Sequence, residues 1–424
     1  MGHKEKELKM KKLKITGPCK LSGEVHISRA KNAYLPILAA VLLTDKEVRL
    51  RNLPDLRDIK TMVKLLKNLG VEVHEEGETT VFNAKNLSSH EATYELVKTM
   101  RASIFVLGPL ISRLKKAKVS LPGGCAIGTR PIDIHLKNLE KMGVHIDLNS
   151  GYVQANAEEL KGTRLALNFP SVGATENLMM AGVFADGTTI IENAAKEPEI
   201  DDLANFLNSM GAKISGIGTS KITIEGVKEL FETEYESIGD RIEAATYIMA
   251  GLATSSDIKV LKFDPTHLEF VIDKLKETGA QIDVLENGVH VKPSKLKSIN
   301  IETAPYPGFP TDAQAQLVSL SLMSEGTTIV KENIFENRFM HVPELIRMGA
   351  NINLSGNAAI VEGGHELKGA PVMCTDLRAS AALIIAALCA KGETIIDRVY
   401  HLERGYEKLS AKFAGLGANV EVIE

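Results

Sequence analysis

The sequence predicts an α/β protein built from six repeated units that form two groups of three. Three observations lead to this fold class. A Gly-Ala or Gly-Val dipeptide recurs before an alternating strand, a small apolar helix recurs once per unit, and the period stays at about 70 residues. The recurring glycines are Gly70, Gly143, Gly211, Gly279, Gly349 and Gly417. Six such units account for nearly the whole chain of 424 residues.

Each unit contains two kinds of helix and a small set of strands. The recurring glycine marks the end of an amphipathic helix, because glycine adopts the left-handed conformation there without a Cβ clash. An alternating strand and a hairpin follow, as in NINLSGNAAIV. A second helix, apolar on most faces and therefore expected to be buried, begins near Lys31, Arg101, Ser171, Arg241, Thr311 and Asp376. A strand such as GTTIIENAA then leads back to the amphipathic helix.

The two ends of the chain are predicted to lie in one domain. The sixth unit ends at GANVEVIE without its returning hairpin strand, and the N-terminal LKITGPCKL has the pattern of that missing strand. The repeat cycle then closes on itself and needs no partner to cap it, which is compatible with a monomer but leaves the oligomeric state open. We expect one domain over residues 31–238 and a second formed by residues 1–30 and 239–424.

Composition limits the partners that the protein can have. Lys and Arg total 50 against 54 Asp and Glu, and a net charge of -4 argues against a general nucleic-acid binder. The apolar stretches 33–43 and 379–390 are shorter than the roughly 20 residues of a membrane span. The four cysteines have neither disulfide-type nor metal-type spacing. Without a signal-peptide pattern, we expect a cytoplasmic protein that does not contact membranes.

The buried helices open with charged and polar side chains. Cations accompany four of the six starts, at Lys31, Arg101, Arg241 and Arg378. A helix N-terminus attracts anions, so six starts that converge from two domains would form a polar cleft. The alternative is simple helix capping. Residues suited to capping are Ser171, Thr311, Asp312, Thr375 and Asp376.

The segment LPGGCAIGTRPIDIH, residues 121–135, has the composition of a mobile loop or lid. Cys125 follows two glycines and lies five residues before Arg130. A neighbouring cation favours the thiolate, and hence a reactive cysteine. The alternative is that Cys125 is a small buried hydrophobic residue. That interpretation suits the other cysteines, which are Cys19, Cys374 and Cys389.

These motifs together resemble the UDP-N-acetylglucosamine 1-carboxyvinyltransferase family of enolpyruvyl transferases. The resemblance covers almost the whole chain and is carried by SRAKNAYLPIL, LPGGCAIGTRPIDIHL, PSVGATENLMMA, FPTDAQAQ, CTDLRAS and ERGYEKL. It implies an inside-out α/β barrel of two threefold domains, in agreement with the repeat count. It also implies transfer of enolpyruvyl from phosphoenolpyruvate to the 3′-hydroxyl of UDP-N-acetylglucosamine, with release of phosphate. This reaction begins peptidoglycan precursor synthesis and needs neither a cofactor nor a metal.

The resemblance also implies roles for individual residues. Cys125 is the expected acid near C3 of phosphoenolpyruvate, Asp312 is the expected base, and Lys31 and Arg404 are expected to assist catalysis. The expected phosphoenolpyruvate site comprises Lys31, Asn32, Arg101, Arg130, Asp376, Arg378 and Arg404. The expected UDP-sugar site comprises Asn32, Arg101, Arg130, Pro131, Ile132, Asp133, Ile134, Ser171, Val172, Gly173, Glu197, Asp312, Ile334 and Arg338.

One position departs from the family pattern, and two alternative functions stay open. Phe169 stands where some members carry a lysine, so backbone amides at residues 171–173 would have to hold the diphosphate. A shikimate-pathway enolpyruvyl transferase would share the fold and the phosphoenolpyruvate chemistry, although the PGGC loop and the RPIDI segment argue against it. A non-catalytic repeat protein that binds a nucleotide sugar would not require Cys125 together with Asp312.

Overall fold

The computed structural model describes residues 11–97, 100–121 and 132–424, with strands and helices that alternate along the chain. The strands are β1 Lys12–Gly17, β2 Ser22–His26, β3 Glu47–Arg51, β4 Glu72–Glu76, β5 Thr79–Asn83, β6 Glu91–Ala92, β7 Lys116–Ser120, β8 His145–Asn149, β9 Tyr152–Asn156, β10 Arg164–Ala166, β11 Thr188–Glu192, β12 Lys213–Ser215, β13 Lys221–Glu225, β14 Thr233–Tyr235, β15 Asp257–Leu261, β16 Gln281–Leu285, β17 Gly288–Lys292, β18 Ile301–Glu302, β19 Thr327–Lys331, β20 Asn351–Ser355, β21 Ala358–Glu362, β22 Pro371–Met373, β23 Gly392–Asp397 and β24 Val420–Ile423.

The helices fall between these strands. The α-helices are α1 Lys31–Ala40, α2 Arg57–Leu69, α3 Tyr94–Val97, α4 Leu107–Leu114, α5 Asp133–Lys141, α6 Val172–Gly182, α7 Pro198–Ser209, α8 Arg241–Ala253, α9 Glu269–Glu277, α10 Gln314–Ser321, α11 Val342–Arg347, α12 Leu377–Cys389 and α13 Leu409–Gly415. Short 3₁₀ helices cover Val41–Leu43, Arg101–Val106, Pro265–Leu268, Thr311–Ala313 and Val399–Arg404. None of the helices in the described ranges is long and apolar enough to cross a bilayer.

The strands form six four-stranded sheets of one recurring design. In the sheet β10-β11-β13-β12, the edge strand β10 runs parallel to β11, and the remaining neighbours are antiparallel. Side chains alternate between the two faces, so that Ile222 and Ile224 of β13 are buried while Lys221 and Glu225 are exposed. Each sheet therefore covers the interior with one face and meets solvent with the other.

The recurring glycines end the amphipathic helices, as the sequence predicted. All six have a positive φ, between 91° and 103°. At Gly70 a Cβ atom would lie 2.6 Å from the backbone oxygen of Asn86 and 2.6 Å from the backbone nitrogen of Ser88. Both the conformation and the close approach of the next segment therefore require glycine at that turn.

The apolar helices pack against one another in the interior, inside the sheets, which is the inside-out arrangement. Helix α4 packs on α6, and α10 packs on both α8 and α12. The predicted starts hold with small adjustments. Lys31 and Arg241 open their α-helices directly, whereas Arg101 and Thr311 open 3₁₀ turns that continue into α4 and α10. Ser171 and Asp376 are the N-cap residues of α6 and α12.

The N-terminal strand completes the sixth sheet, as predicted. β1 lies between β23 and β24, antiparallel to both, with Leu13 opposite Ile396 and Ile15 opposite Val420. The first and last strands of the described chain are therefore hydrogen-bonded neighbours. The repeat cycle closes within one chain.

The buried apolar residues form two separate cores. One core draws on residues 34–230 and the other on residues 13–27 and 244–418. We call residues 31–238 the first group and residues 11–30 with 239–424 the second group. The chain passes between the groups at two adjacent segments, residues 28–30 and 238–240, here called the double crossing. There the amide of Ala30 donates to the carbonyl of Ile238 at 2.8 Å, and that of Asp240 donates to Ser28 at 2.9 Å. We propose domain boundaries at 30/31 and 238/239 on this basis.

Candidate active site

A buried carboxylate joins two of the predicted cations across the two groups. Asp58, on the first turn of α2 and 4% exposed, accepts from Arg404, with Nε to Oδ1 at 3.0 Å and Nη2 to Oδ2 at 3.4 Å. The Nζ atom of Lys31 lies 3.5 Å from Oδ2 of the same carboxylate. Asp58 thus brings together Lys31 of the first group and Arg404 of the second. Sequence reasoning missed Asp58, whose only signal was its place at the start of an amphipathic helix.

Asp312 is held between two arginines of the second group. Its Oδ1 is 2.6 Å from Nη2 of Arg338, and its Oδ2 is 2.9 Å from Nη2 of Arg378. Removal from water would raise the pKa of Asp312, but Arg378, Arg338 and Lys31 hold it well below its usual value. The carboxylate is therefore ionised at neutral pH, and its orientation is fixed by two charge-assisted hydrogen bonds.

Lys31 lies in a strongly cationic environment. Burial lowers the pKa of Lys31 below its usual value, Arg378 and Arg404 lower it further, and Asp58 and Asp312 oppose them. Together with Arg338, these side chains form a cluster of four cations and two carboxylates. Their excess of positive charge makes the place where the two groups meet suitable for an anionic ligand, although the chain as a whole is acidic.

The capping interpretation is correct for two residues. Ser171 accepts from the amide of Ala174 at 3.3 Å, and Asp376 accepts from those of Arg378 and Ala379 at 2.9 and 3.0 Å. Asp376 therefore fixes the start of the helix that carries Arg378. The Thr375 hydroxyl oxygen is buried without a hydrogen-bond partner among the described residues, so it is not a cap.

Capping is the wrong interpretation of Thr311 and Asp312. Pro310 occupies the N-cap position of that turn and has no side-chain hydrogen bond to give. The Thr311 hydroxyl instead donates to Glu332 at 2.9 Å, and Asp312 points its carboxylate at the two arginines. A carboxylate that was free to cap would satisfy backbone amides; here the guanidinium groups compete more strongly for it.

Glu332 organises the two loops that carry Asp312 and Ile334. Its Oε2 accepts from Thr311, and its Oε1 accepts from the amides of Ile334 and Phe335 at 2.8 and 3.1 Å. Because the Glu332 side chain is buried, it fixes both loops relative to strand β19. Sequence reasoning did not identify Glu332, since the partners of a buried carboxylate cannot be read from its neighbours in the chain.

Six of the predicted UDP-sugar residues of the first group lie at the starts of two packed helices. Ile132 precedes α5, Asp133 opens it and pairs with Lys137 at 3.2 Å, and α5 packs on α6. The segment from Ser171 to Gly173 forms the start of α6. The structure thus brings Ile132, Asp133 and Ile134 close to Ser171, Val172 and Gly173.

Gly173 allows a close approach between helices at this position. A Cβ atom there would lie 3.3 Å from Cε1 of Phe105 and 3.4 Å from Cε1 of His135. The His135 ring is buried, its Nδ1 is 3.0 Å from Nδ2 of Asn177, and burial lowers its pKa to about 4. The imidazole is neutral at pH 7 and adds no charge to the α6 N-terminus.

A second set of contacts joins the two groups near Glu197. The amide of Tyr306 donates to Glu197 Oε1 at 3.4 Å. Two residues along, Arg241 of the second group binds Glu199 of the first, with Nε to Oε1 at 3.0 Å and Nη2 to Oε2 at 3.2 Å. Burial raises the pKa of Glu197, so its proton affinity is higher than that of an exposed glutamate. Glu197 therefore lies at the junction between the groups, as its predicted role requires.

Several predicted residues fall outside the described part of the chain. Cys125, Arg130 and Pro131 lie outside the described residues. Arg101 opens its 3₁₀ helix, but its side chain is not among those described. Asn32 lies on the first turn of α1, next to Lys31. The roles predicted for these five residues remain predictions, as do those of the other site residues.

Comparison with known proteins places the chain in a family. The model of the family described as EPSP synthase (3-phosphoshikimate 1-carboxyvinyltransferase) matches residues 15–413. The chain belongs to this family of enolpyruvyl transferases. Curated relatives named UDP-N-acetylglucosamine 1-carboxyvinyltransferase are 52% identical in Geotalea daltonii and 51% identical in Acinetobacter baylyi. Each match covers 98% of this chain and 100% of the relative. The resemblance found in the sequence is confirmed.

Solved structures support the same architecture. The enolpyruvyl transferase NikO from Streptomyces tendae is 26% identical, with a TM-score of 0.88 over 97% of this chain and 99% of that one. An EPSP synthase from Acinetobacter baumannii, 17% identical, shares the fold with a TM-score of 0.76 over 98% of this chain and 100% of its own. The predicted two-domain inside-out α/β fold is confirmed, and the protein is a transferase of the enolpyruvyl type.

Proposed function

We propose that the protein transfers the enolpyruvyl group of phosphoenolpyruvate to the 3′-hydroxyl of UDP-N-acetylglucosamine and releases phosphate. The observation that carries the proposal is the cluster of four cations and two carboxylates where the groups meet. The names of relatives at 51–53% identity support this acceptor. The proposed role is the first committed step of peptidoglycan precursor synthesis, carried out by a cytoplasmic monomer.

The cations of the cluster suit a small ligand with two anionic groups. Phosphoenolpyruvate carries a carboxylate and a phosphate, and each needs several charge-assisted hydrogen bonds once water is excluded. Lys31 and Arg404 are already held together by Asp58, so the ligand does not have to gather them from two separate groups. We propose that they bind phosphoenolpyruvate together with Arg378, Arg101 and Arg130.

The reaction requires one acid and one base. We propose that Cys125 protonates C3 of phosphoenolpyruvate, which leaves C2 with oxocarbenium character. The sugar oxygen attacks C2, and its proton passes to Asp312. As the tetrahedral intermediate breaks down, a C3 proton returns to the Cys125 thiolate while the C2–O bond to phosphate breaks, which restores the vinyl group. The proton held by Asp312 leaves with the released phosphate, so both residues return to their starting states.

The low pKa of Asp312 is compatible with its proposed role as the base. An aspartate held by Arg338 and Arg378 is a weak base at rest. The sugar hydroxyl becomes strongly acidic as its oxygen bonds to the electron-poor C2, so a weak base suffices at that stage. The two arginines also keep the carboxylate in one orientation, which favours attack from a single direction.

The nucleotide half of the acceptor is assigned to the first group. We propose that backbone amides at residues 171–173 hold the diphosphate, with residues 130–134 along the uridine. Ser171 caps α6 and leaves amides of its first turn directed out of the helix, which suits an anion. Asn32, Asp312 and Ile334 are proposed to contact the sugar, with Glu197 and Arg338 at further positions of the UDP-sugar site.

The test is a phosphate-release assay with defined substrates. Release is expected only when phosphoenolpyruvate and UDP-N-acetylglucosamine are both present. Shikimate 3-phosphate is the second acceptor to try, because the matching family model is that of EPSP synthase. Release with shikimate 3-phosphate and none with the UDP-sugar would overturn the proposal in favour of that alternative.

The role of Cys125 is tested with a matched cysteine. Cys125→Ala is expected to abolish phosphate release at neutral pH while UDP-sugar binding persists. Cys374→Ala is the control, since burial raises the pKa of that thiol to about 12 and keeps it un-ionised. Turnover that survives in Cys125→Ala would remove this residue from the mechanism.

A further inference from the structure

The hydroxyl of Tyr406 lies among the three interior helices of the second group, directly behind Asp312. Tyr406 is 3% exposed and sits two residues after Arg404. Its oxygen is 3.2 Å from Nη1 of Arg378 on α12, 2.9 Å from Oγ1 of Thr246 on α8, and 3.3 Å from Nε2 of Gln316 on α10. One hydroxyl thus contacts all three interior helices of the second group.

The hydrogen bonds of this cluster have a defined direction. Thr246 Oγ1 donates to the carbonyl of Ile242 at 2.9 Å, so its only proton is already used and it accepts from Tyr406. Burial raises the pKa of Tyr406, and the phenol therefore keeps the proton that it donates. The lone pairs of the Tyr406 oxygen then accept from Arg378 and from Gln316, whose Nε2 shares one proton between Tyr406 at 3.3 Å and Thr246 Oγ1 at 3.1 Å.

Both acceptor bonds lead to Asp312. Arg378 donates to Tyr406 through Nη1 and to Asp312 Oδ2 through Nη2, so the two bonds fix the plane of one guanidinium group. Gln316 donates through Nε2 to the Asp312 carbonyl at 2.9 Å. The Asp312 backbone and carboxylate are therefore each one residue removed from the same hydroxyl.

We propose that Tyr406 is a positioning residue, whose hydroxyl orients Arg378 and through it the carboxylate of Asp312. This inference rests on the proposed function, since it concerns the base of that reaction, and it adds a residue with no direct contact to the reacting atoms. A tyrosine suits the task because its ring packs in the core while its oxygen accepts from a buried cation.

The competing explanation is that Tyr406 only fills space in the core. Tyr247 provides a matched control, because it is also buried in the second group and lies on the same helix as Thr246. Its hydroxyl has no hydrogen-bond partner among the described residues. Tyr406→Phe and Tyr247→Phe therefore remove the same atom from equally buried rings, one bonded and one not.

The experiment measures kcat and KM for both substrates in the full-length protein. Tyr406→Phe is expected to lower kcat about tenfold, the size of one charge-assisted hydrogen bond, with both KM values changed less than threefold. Tyr247→Phe is expected to leave kcat unchanged. Thr246→Val is expected to lower kcat, but by a smaller factor than Tyr406→Phe. Equal kcat values for the two tyrosine variants would overturn the proposal.

A double-variant cycle separates positioning from general loosening of the core. If Tyr406 acts through Arg378, then Arg378→Lys combined with Tyr406→Phe loses no more activity than Arg378→Lys alone. Losses that multiply in the double variant would contradict the proposal, even where Tyr406→Phe alone is impaired. The wild-type assay distinguishes failure of the proposed function from failure of this inference. If the wild type is inactive with these substrates, the proposed function is wrong. If the wild type is active and Tyr406→Phe has the same kcat, only this inference is wrong.

Discussion

The first and second groups have the same architecture but begin their interior helices differently. In the second group, Asp240 and Asp376 cap α8 and α12 with two backbone hydrogen bonds each. In the first group, Ala30 precedes α1 and makes no side-chain cap, and Lys31 opens the helix. At these starts the first group therefore offers a cation, and the second supplies the fixed carboxylates, one of which, Asp240, also accepts from the amide of Lys31 at 3.4 Å. The repeats place residues at equivalent helix starts, and the residues proposed for catalysis are those that differ between the repeats.

A similar contrast exists within each group, at the end of the strand that follows each interior helix in the chain. In four units the residue after that strand has a positive φ, between 51° and 69°, which turns the chain away. These residues are Asn52, Asn193, Lys262 and Arg398. The remaining two units, one in each group, have Leu121 and Glu332 at this position, without a positive φ. Leu121 leads into the segment that contains Cys125, and Glu332 organises the loops around Asp312, so both exceptions belong to the proposed site.

The sharpest test of this asymmetry is the loss of the carboxylate that has no capping role. Asp312→Asn is expected to lower kcat about 10³-fold, because it removes the proposed base and the charge that orders Arg338 and Arg378. UDP-sugar affinity should change much less. Asp264→Asn is the control, since Asp264 is exposed and its carboxylate caps a four-residue 3₁₀ helix. If Asp312→Asn keeps the wild-type kcat, then Asp312 is not the base and the second group does not supply it.

The contacts at the double crossing give the next largest effect, on stability. Glu243 accepts from the amide of Ser28 at 2.8 Å and from Lys412 at 2.6 Å, and burial raises its pKa to about 7. A carboxyl whose folded pKa is raised stabilises the protein at low pH and loses that contribution as pH rises through the folded pKa. Between pH 5 and pH 8, Glu243 should lower the free energy of unfolding by about 3 kcal/mol.

Urea unfolding at those two pH values measures this effect. In Glu243→Gln the drop between pH 5 and pH 8 should be smaller than in the wild type by that amount. Glu225→Gln, at the exposed end of β13, serves as the control. An identical pH dependence in wild type and Glu243→Gln would show that this carboxyl does not titrate in the fold.

A smaller effect is expected for the link between the groups at Asp58. Asp58 is the largest influence that raises the pKa of Lys31, so Asp58→Asn should lower that pKa further. If protonated Lys31 binds phosphoenolpyruvate, the alkaline limb of kcat/KM for phosphoenolpyruvate moves to lower pH by about one unit. Asp55 lies just before the same helix and forms an exposed ion pair with Lys60, so Asp55→Asn should leave the alkaline limb of kcat/KM unchanged. A shift towards higher pH would contradict the assigned contact.

The smallest expected effect concerns Phe169, which is 44% exposed just before α6. Phe169→Lys adds a cation beside the proposed diphosphate site, so KM for the UDP-sugar should fall about threefold at low salt and less at high salt. Phe231→Lys, at another exposed phenylalanine of the first group, is the control. An equal decrease in both variants would indicate a general charge effect and not a local contact.

Much of the fold could be predicted because its signals are local. A helix-ending glycine, an alternating strand and an apolar helix each depend on a few adjacent residues, and repetition made them unmistakable. The N-terminal strand was predicted from what the sixth unit lacked. The family motifs identified Lys31, Asp312, Arg378 and Arg404 as site residues, and the structure brings these together.

The residues that were missed act through partners far away in the chain. Asp58 and Arg404 are 346 residues apart, and Thr246 and Tyr406 are 160 apart. Such pairs depend on how the helices and the two groups dock, which no local pattern encodes. The misassigned cap at Asp312 has the same origin, since Arg338 and Arg378 compete for its carboxylate from distant positions.

The pairing of β1 has a consequence for how the protein is made. Gly17 lies opposite Gly392, so β1 is synthesised long before its partner strands exist. The first group, by contrast, is synthesised without interruption and can complete its core while the second is still being translated. Until β23 and β24 emerge, β1 is an open edge that can bind other strands. The closed cycle that pairs β1 on both sides in the finished fold thus leaves this strand unpaired for most of synthesis.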